Sequence, residues 1–216
     1  MKGEKNIIVV GGFHEVLELC ERCSHHIVGI IDPGLHGTYL GYDILGHDGD
    51  AARLYREYGH IPLVVSPDTP GKRCALIKHY ADIGFDFATL IHPSALVSGR
   101  ATIGKGVVIQ ANVHISANAK LADFVRVNVY ANLMHDVLVE RYTTIAPNAV
   151  LLGSVVVKEA CYVGANATIL PHVKVGARAV VGAGAVVVTD VEPDCTVAGN
   201  PARVIKRHAR DEDENA

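Results

Sequence analysis

Aliphatic residues recur at every sixth position through the C-terminal half of the chain. Steps of six from Val97 to Val187 meet sixteen positions, and every one holds Val, Ile or Leu. Self-similarity at a fixed period indicates a solenoid. The sixteen residues are Val97, Ile103, Ile109, Ile115, Leu121, Val127, Leu133, Val139, Ile145, Leu151, Val157, Val163, Ile169, Val175, Val181 and Val187.

A second set of small or medium side chains stands two residues before each of these aliphatics, from Ala95 and Ala101 to Ala179 and Ala185. Alternate residues of a strand face the same side, so each pair points inward from a short extended segment. A helix is excluded because six is not near a multiple of 3.6 and β-branched residues dominate. The pattern therefore predicts short strands that stack in successive coils about 4.8 Å apart.

Residues suited to tight turns separate the predicted strands. Asn118, Asn148 and Asn166 tolerate the positive φ that such turns require, and glycine tolerates it too. Glycine often follows the aliphatic directly, at Gly104, Gly164, Gly176 and Gly182. We expect these positions to form the corners of the coils.

This repeat resembles that of the hexapeptide-repeat acyltransferases, whose fold is a left-handed parallel β-helix with three hexads per coil. The resemblance implies about five coils within residues 91–207. A β-solenoid with a purely structural role is the alternative at this point.

The first ninety residues lack the six-residue period and alternate between strand and helix patterns. This order predicts a small parallel sheet with helices, hence an α/β domain over residues 1–90 with its boundary near Leu90. Asp50 is placed to cap the second helix. The predicted strands are 6–10, 27–31 and 61–65, and the predicted helices are 13–23, 51–58 and 72–83.

A glycine turn and an acidic residue give this domain part of a dinucleotide-binding pattern. Gly11 and Gly12 follow the first strand, and Asp32 ends the second. Backbone amides at a helix start favour phosphate, and a carboxylate after the second strand can accept from ribose hydroxyls. The full GxGxxG motif is missing, so a plain strand-to-helix turn remains the alternative reading.

The two-part layout, with the runs 40–46 and 91–95, resembles the bacterial sugar acetyltransferases that N-acetylate nucleotide-linked amino sugars, and relatives associated with sialic acid O-acetylation. The resemblance implies that residues 1–90 form a Rossmann-like nucleotide-sugar-binding domain, with His14 meeting the substrate. Relatives carry Gly-x-Gly/Ser-Gly-His, whereas this chain has the shorter run Gly11 to His14, and Ser66–Pro70 replaces a glycine-containing turn. The nucleotide, UDP, GDP or dTDP, therefore stays open.

Acyl transfer to an amine requires a general base, and histidine has a pKa near working pH. His135 follows Leu133 by two residues and precedes Asp136, a carboxylate able to orient the imidazole. Adjacent strand side chains point oppositely, so this pairing requires a bend at the corner after Leu133. The family pattern Asn-x6-His-Asp/Glu is present from Asn128, and the resemblance implies that Asn128 lines the substrate pocket.

The resemblance also implies acetyl-CoA as co-substrate. Thr144 stands where relatives carry a second histidine that contacts the thioester. Ala165 and Ala183 match the pantetheine contacts, and the run from Gly199 to Arg203 matches the segment that folds over coenzyme A.

Charge and cysteine usage limit the remaining classes. Net charge is −3 with a pI near 6.4, which gives no basic field for nucleic acid or an anionic membrane. No apolar run reaches the roughly 18 residues of a membrane span. Cys20 and Cys23 are the one CxxC pair among five cysteines, so a zinc site is not expected. We expect a soluble, cytoplasmic protein without a metal, and a flexible acidic tail over 208–216.

The resemblance implies an acetyl-CoA-dependent N-acetyltransferase acting on a UDP-, GDP- or dTDP-linked 4-amino-4,6-dideoxyhexose. By the resemblance it is a homotrimer with active sites between subunits. Sugar O-acetylation and non-catalytic nucleotide-sugar binding are the alternatives. The γ-type carbonic anhydrases share the fold, but their close histidine pair is missing between His92 and His172.

Overall fold

The computed structural model describes residues 5–208. The chain divides between Pro93 and Ser94 into two compact units. The acidic tail predicted over 208–216 lies, beyond His208, outside the described residues. No helix within residues 5–208 is long and apolar enough to cross a membrane.

The first unit is a five-stranded sheet with three α-helices. The strands lie in the order β3-β4-β2-β1-β5; β4, β2, β1 and β5 are parallel, and β3 pairs antiparallel with β4. Apolar residues Ile7–Val10 of β1 are at most 1% exposed and form the centre of the core. The elements are β1 (Lys5–Val10), α1 (His14–Arg22), β2 (His25–Ile31), β3 (Thr38–Tyr39), β4 (Tyr42–Gly46), a 3₁₀ turn (Asp48–Asp50), α2 (Ala51–Tyr58), β5 (Leu63–Val65), α3 (Pro70–Ile83) and β6 (Leu90–Ile91).

Two sequence-based expectations for this unit need correction. The β3–β4 hairpin was not predicted, because the exposed and half-buried residues of β4 carry no clear apolar alternation. Asp50 precedes α2, but its side chain does not cap that helix. Its carboxylate instead accepts from the backbone N–H of His47 at 3.1 Å, which closes the 3₁₀ turn.

The second unit is a β-helix built from two-residue strands, and each strand ends on one of the stepped aliphatics. From Ile109 onward these aliphatics are 0–1% exposed, which confirms the six-residue register. The strands are β7 (Leu96–Val97), β8 (Thr102–Ile103), β9 (Val108–Ile109), β10 (His114–Ile115), β11 (Lys120–Leu121), β12 (Arg126–Val127), β13 (Asn132–Leu133), β14 (Leu138–Val139), β15 (Thr144–Ile145), β16 (Val150–Leu151), β17 (Val156–Val157), β18 (Tyr162–Val163), β19 (Thr168–Ile169), β20 (Lys174–Val175), β21 (Val180–Val181) and β22 (Val186–Val187).

Three parallel sheets form the faces of this β-helix. Sheet 1 holds β7, β10, β13, β16, β19 and β22; sheet 2 holds β8, β11, β14, β17 and β20; sheet 3 includes β9, β12, β15, β18 and β21. Paired residues are eighteen apart, as in Asn132 with Val150. Sheet 3 continues into β23 (Cys195–Gly199), which forms an antiparallel hairpin with β24 (Ala202–Arg207).

The turns depart from expectation in one respect. Positive φ falls three residues after each aliphatic from Ile103 to Val181, as at Asn118 (60°), Asn148 (58°) and Asn166 (57°), which confirms the asparagine prediction. The glycines directly after the aliphatics serve another purpose. A Cβ on Gly164 would lie 2.6 Å from the backbone nitrogen of Ala183, so this glycine permits the next coil to approach closely.

Candidate active site

His135 and Asp136 form a hydrogen-bonded pair in the turn after β13. His135 Nδ1 lies 2.9 Å from Asp136 Oδ2, and both side chains are exposed. Asp136 has φ of 60°, so the backbone bends at this residue and brings the two neighbouring side chains to the same side. The bend that the pairing requires is therefore present.

Asn118, on the preceding coil, contacts the same carboxylate. Its Nδ2 donates to Asp136 Oδ1 at 3.1 Å. The hydrogen bonds from His135 and then from Asn118 hold the pKa of the Asp136 carboxyl below its usual value. Asp136 is thus an ionised acceptor that holds a different donor on each oxygen.

Gly153, on the following coil, packs against the imidazole. A Cβ on this residue would lie 2.5 Å from His135 Cε1 and 2.7 Å from Nε2. The backbone N–H of Ser154 donates to the carbonyl of His135 at 3.0 Å, so the two coils are locked together here. The turns that join sheet 1 to sheet 2, and that carry Asn118, His135, Asp136 and Gly153, are called the His135 corner below.

Other predicted residues lie at a second corner, where turns join sheet 3 to sheet 1. Ala165 and Ala183 stand there in consecutive coils, and the N–H of Gly184 donates to the carbonyl of Ala165 at 2.8 Å. Asn128 lies at the same corner and is 3% exposed. This region is called the Ala183 corner.

The hairpin of β23 and β24 extends sheet 3 beyond the last full coil. Gly199 ends β23 and Arg203 lies in β24; both residues are exposed. The Arg203 guanidinium donates to the carbonyl of Ala202 at 2.8 Å. Thr144, in contrast, is 0% exposed within β15 of this sheet. Its side chain does not reach the surface of the single chain, and a contact of Thr144 with the cofactor stays a prediction.

In the first unit, Gly11, Gly12 and Asp32 line a cleft of about 330 Å³. Asp32 Oδ2 accepts from the N–H of Gly12 and Oδ1 from the N–H of Gly34, both at 2.8 Å. The carboxylate thereby joins the turn after β1 to the turn after β2.

His14 does not line this cleft. Its side chain is exposed, and its ring packs against Phe13 with 4.8 Å between centroids. Phe13 takes its place in the lining. His14 is the first residue of α1, beyond the glycine turn.

The opposite wall includes most of the run Ser66–Pro70 that the sequence analysis connected with the choice of nucleotide, and also Lys72, which the sequence analysis did not name. It consists of residues 66–69, after β5, and of Lys72 in the first turn of α3. The strand order contains the missing signal: β2 and β5 flank β1 on opposite sides, and ligands of such sheets bind outside the carboxyl ends of the strands where the order reverses. Arg73 is buried and donates to the carbonyls of Pro67 and Asp68 at 3.0 and 2.7 Å, which holds this loop in shape.

Residues 5–208 contain no group of three or more His, Cys, Asp and Glu side chains placed to hold a metal ion.

Comparisons with known proteins agree with the repeat. The family described as bacterial transferase hexapeptide (six repeats) matches residues 154–189. A curated acyl-[acyl-carrier-protein]–UDP-N-acetylglucosamine O-acyltransferase of Chlamydia pneumoniae is 42% identical over 60 residues, which are 28% of this chain. The match spans 22% of that protein's own length.

Solved structures match almost the whole chain. PerB from Caulobacter crescentus, in complex with CoA and GDP-perosamine, is 30% identical over 95% of this chain and 99% of its own, with a TM-score of 0.88. The acetyltransferase domain of PglB from Neisseria gonorrhoeae, in complex with acetyl coenzyme A, is 32% identical over 94% of this chain and 100% of its own, with a TM-score of 0.87.

The chain belongs to the hexapeptide-repeat sugar acetyltransferases. The β-helix is accordingly left-handed, as the sequence analysis predicted. Two residues beside His135 were not identified as site residues from the sequence. Asn118 lies one coil before the His135 turn, and Gly153 lies one coil after it.

Proposed function

We propose that the protein transfers an acetyl group from acetyl-CoA to the amine of a nucleotide-linked amino-deoxy sugar, a UDP-, GDP- or dTDP-linked 4-amino-4,6-dideoxyhexose. The observation that carries this proposal is the His135–Asp136 pair, at 2.9 Å on an exposed corner of a sugar acetyltransferase fold. Relatives with the same layout bind CoA together with GDP-perosamine, or acetyl coenzyme A.

His135 acts as the general base. Its Nδ1–H donates to the ionised Asp136, so the lone pair of the neutral imidazole is on Nε2. Nε2 takes the proton of the sugar amine as the amine attacks, and Asp136 stabilises the imidazolium that forms. The thioester of acetyl-CoA supplies the activated acyl group.

The Ala183 corner holds the co-substrate. Ala165 and Ala183 present methyl groups on consecutive coils, which leaves room for a thin chain such as pantetheine. Gly199 and Arg203 lie in the hairpin at the end of the same sheet, where the exposed guanidinium can contact a phosphate group. Asn128 at this corner contributes to the substrate pocket.

The first unit holds the nucleotide as a Rossmann-like domain. Gly11 and Gly12 line the cleft, and a turn without side chains lets a phosphate group approach the backbone closely. Asp32 uses one lone pair of each carboxylate oxygen for backbone N–H groups, so the remaining lone pairs can accept from a ribose hydroxyl. His14, which begins α1 directly after the glycine turn, meets the sugar.

The assembly we propose is a homotrimer of β-helices with about five coils each and with active sites between subunits. The supporting observation is that the base lies at the His135 corner, whereas the co-substrate residues lie at the Ala183 corner. One face of the β-helix separates these corners in a single chain. A neighbouring copy related by closed symmetry can bring its Ala183 corner to the His135 corner of the first.

The first test measures thiol release from acetyl-CoA with UDP-, GDP- and dTDP-linked amino-deoxy sugars, with product mass to locate the new acetyl group. We expect turnover with one nucleotide, and loss of most activity in His135→Ala with an unchanged melting temperature. Acetylation of a hydroxyl would replace the proposal with O-acetylation. Full activity of His135→Ala would refute the assignment of the base.

The second test mixes two inactive variants. His135→Ala lacks the base, and Ala183→Trp blocks the co-substrate slot. If each site uses both corners from different subunits, refolding an equal mixture restores about a quarter of the sites. No recovery, or a monomer in light scattering, would refute the shared site.

A further inference from the structure

The carboxylate that orients His135 is itself held from a neighbouring coil. Asn118 Nδ2 donates to Asp136 Oδ1 at 3.1 Å, while Asp136 Oδ2 contacts His135 Nδ1 at 2.9 Å. We propose that Asn118 is a positioning residue for the transfer reaction, acting on His135 through Asp136. This inference rests on the proposed function, in which His135 is the base.

Two bonds to two different oxygens fix the plane of a carboxylate, whereas one bond leaves it free to rotate. Asp136 lies in an exposed turn, so little packing restricts its side chain. Asn118 supplies the second bond from a coil whose backbone is tied to the same turn, since the N–H of Asp136 donates to the carbonyl of Ala117 at 3.1 Å. The amide thus keeps Oδ2 directed at Nδ1 and keeps the lone pair of the imidazole on Nε2.

The alternative role of Asn118 is conformational, because its φ is 60°. Asn112 has φ of 57° at the corresponding turn position of the Ala183 corner, so asparagine serves this backbone role elsewhere in the β-helix. Ala160 adopts φ of 55° at the same position of a third corner, so the turn also accepts alanine. These residues make it possible to separate the backbone role of Asn118 from its side-chain role.

Asn118→Ala removes the donor, and Asn118→Asp replaces it with a carboxylate that faces Asp136. We expect kcat to fall about tenfold in both, a part of the 10²–10⁴ that a general base contributes, with KM for both substrates unchanged. Ala160→Asn and Ala160→Asp are the matched controls, because they place the same polar side chains at the same turn position of the third corner, where sheet 2 joins sheet 3. We expect their kcat within about twofold of the wild type.

The pH profile separates the two variants further. Asp136 is the charged group that faces His135, and the adjoining turns add only residues without a titratable side chain: Ala117, Asn118, Gly153 and Ser154. A second carboxylate in Asn118→Asp favours the imidazolium, so the acid limb of kcat/KM moves to higher pH. Asn118→Ala adds no charge, and we expect its acid limb to move much less.

Normal kcat in both Asn118 variants, with only a lower melting temperature, would overturn the inference. A measurement independent of turnover is the tautomer of His135, read from its imidazole nitrogen shifts by NMR. We expect the Nδ1–H tautomer in the wild type and a mixture in Asn118→Ala, whereas identical spectra would also overturn the inference. If the tautomer differs between the wild type and Asn118→Ala but no sugar is acetylated, the proposed function fails, while the effect of Asn118 on the His135 tautomer through Asp136 stands.

Discussion

Replacing Gly153 with alanine tests whether the coil after His135 shapes the active site. The added Cβ would lie 2.5 Å from Cε1 and 2.7 Å from Nε2 of the imidazole. Carbon atoms in contact prefer about 3.5–4.0 Å, so the ring must move by about 1 Å or more. Gly153 does not have positive φ, so alanine adds no backbone strain.

The size of the effect follows from this displacement. A misplacement of about 1 Å can cost about 100-fold in rate, because the reacting atoms leave their aligned geometry. The ring is exposed and can swing into solvent, so the clash is relieved without unfolding the coil. We therefore expect kcat to fall between about tenfold and 100-fold, while the melting temperature changes little.

The assay is thiol release from acetyl-CoA at saturating sugar, together with a thermal melt. Gly99→Ala is the matched control, because Gly99 occupies the same turn position three coils earlier and a Cβ there would meet nothing within 4 Å. We expect Gly99→Ala to keep wild-type activity. Wild-type activity in Gly153→Ala would refute the reasoning, and equal loss in both variants would show a general effect on the turns.

Three further predictions test the core, the cleft and the acid dependence. Val163→Asp places an unpaired charge at a fully buried position of the β-helix, so we expect a loss of about 4–5 kcal/mol or more and no cooperative melt; a wild-type melting curve would contradict the register. Asp32→Ala removes an acceptor that holds two loops of the cleft, so KM for the nucleotide sugar should rise about tenfold with kcat little changed, and an unchanged KM would remove Asp32 from the site. The pKa of Asp136 is lower in the folded protein than in the unfolded chain, so its bonds stabilise the fold above the unfolded-state pKa and this contribution is lost as the pH falls through the folded-state pKa. Acid titrations of stability should therefore be less steep for Asp136→Asn than for the wild type.

The β-helix could be predicted because every coil repeats the same physical requirement. Each six-residue unit must place one aliphatic side chain, such as that of Val163, in the apolar core. The requirement therefore recurs at a fixed interval. The same repetition predicted asparagine at positive φ. Gly164 was predicted to adopt positive φ, but it is required for a different reason, because the next coil approaches its Cα closely.

The first unit was less predictable because its contacts are set by tertiary packing. Residues 66–69 line the same cleft as Gly11, which is far away in the sequence. The sequence of this loop alone does not predict that the two segments lie close together. Asp50 was predicted as a cap from its position alone, whereas a competing backbone N–H at His47 takes its carboxylate.

The surroundings of His135 stand between these two cases. In a β-helix whose coils repeat every eighteen residues, position 135 has its neighbours at 117 and 153, and position 136 at 118 and 154. The hydrogen bond from Asn118 and the contact with Gly153 therefore follow from the register once one residue of the site is chosen. The alternation of inward and outward residues along a strand does not predict the burial of Thr144. This residue occupies the outward position of its strand and is nevertheless fully buried. Coil arithmetic thus predicts which residues touch within one β-helix, whereas the burial of outward positions depends on the elements that cover them.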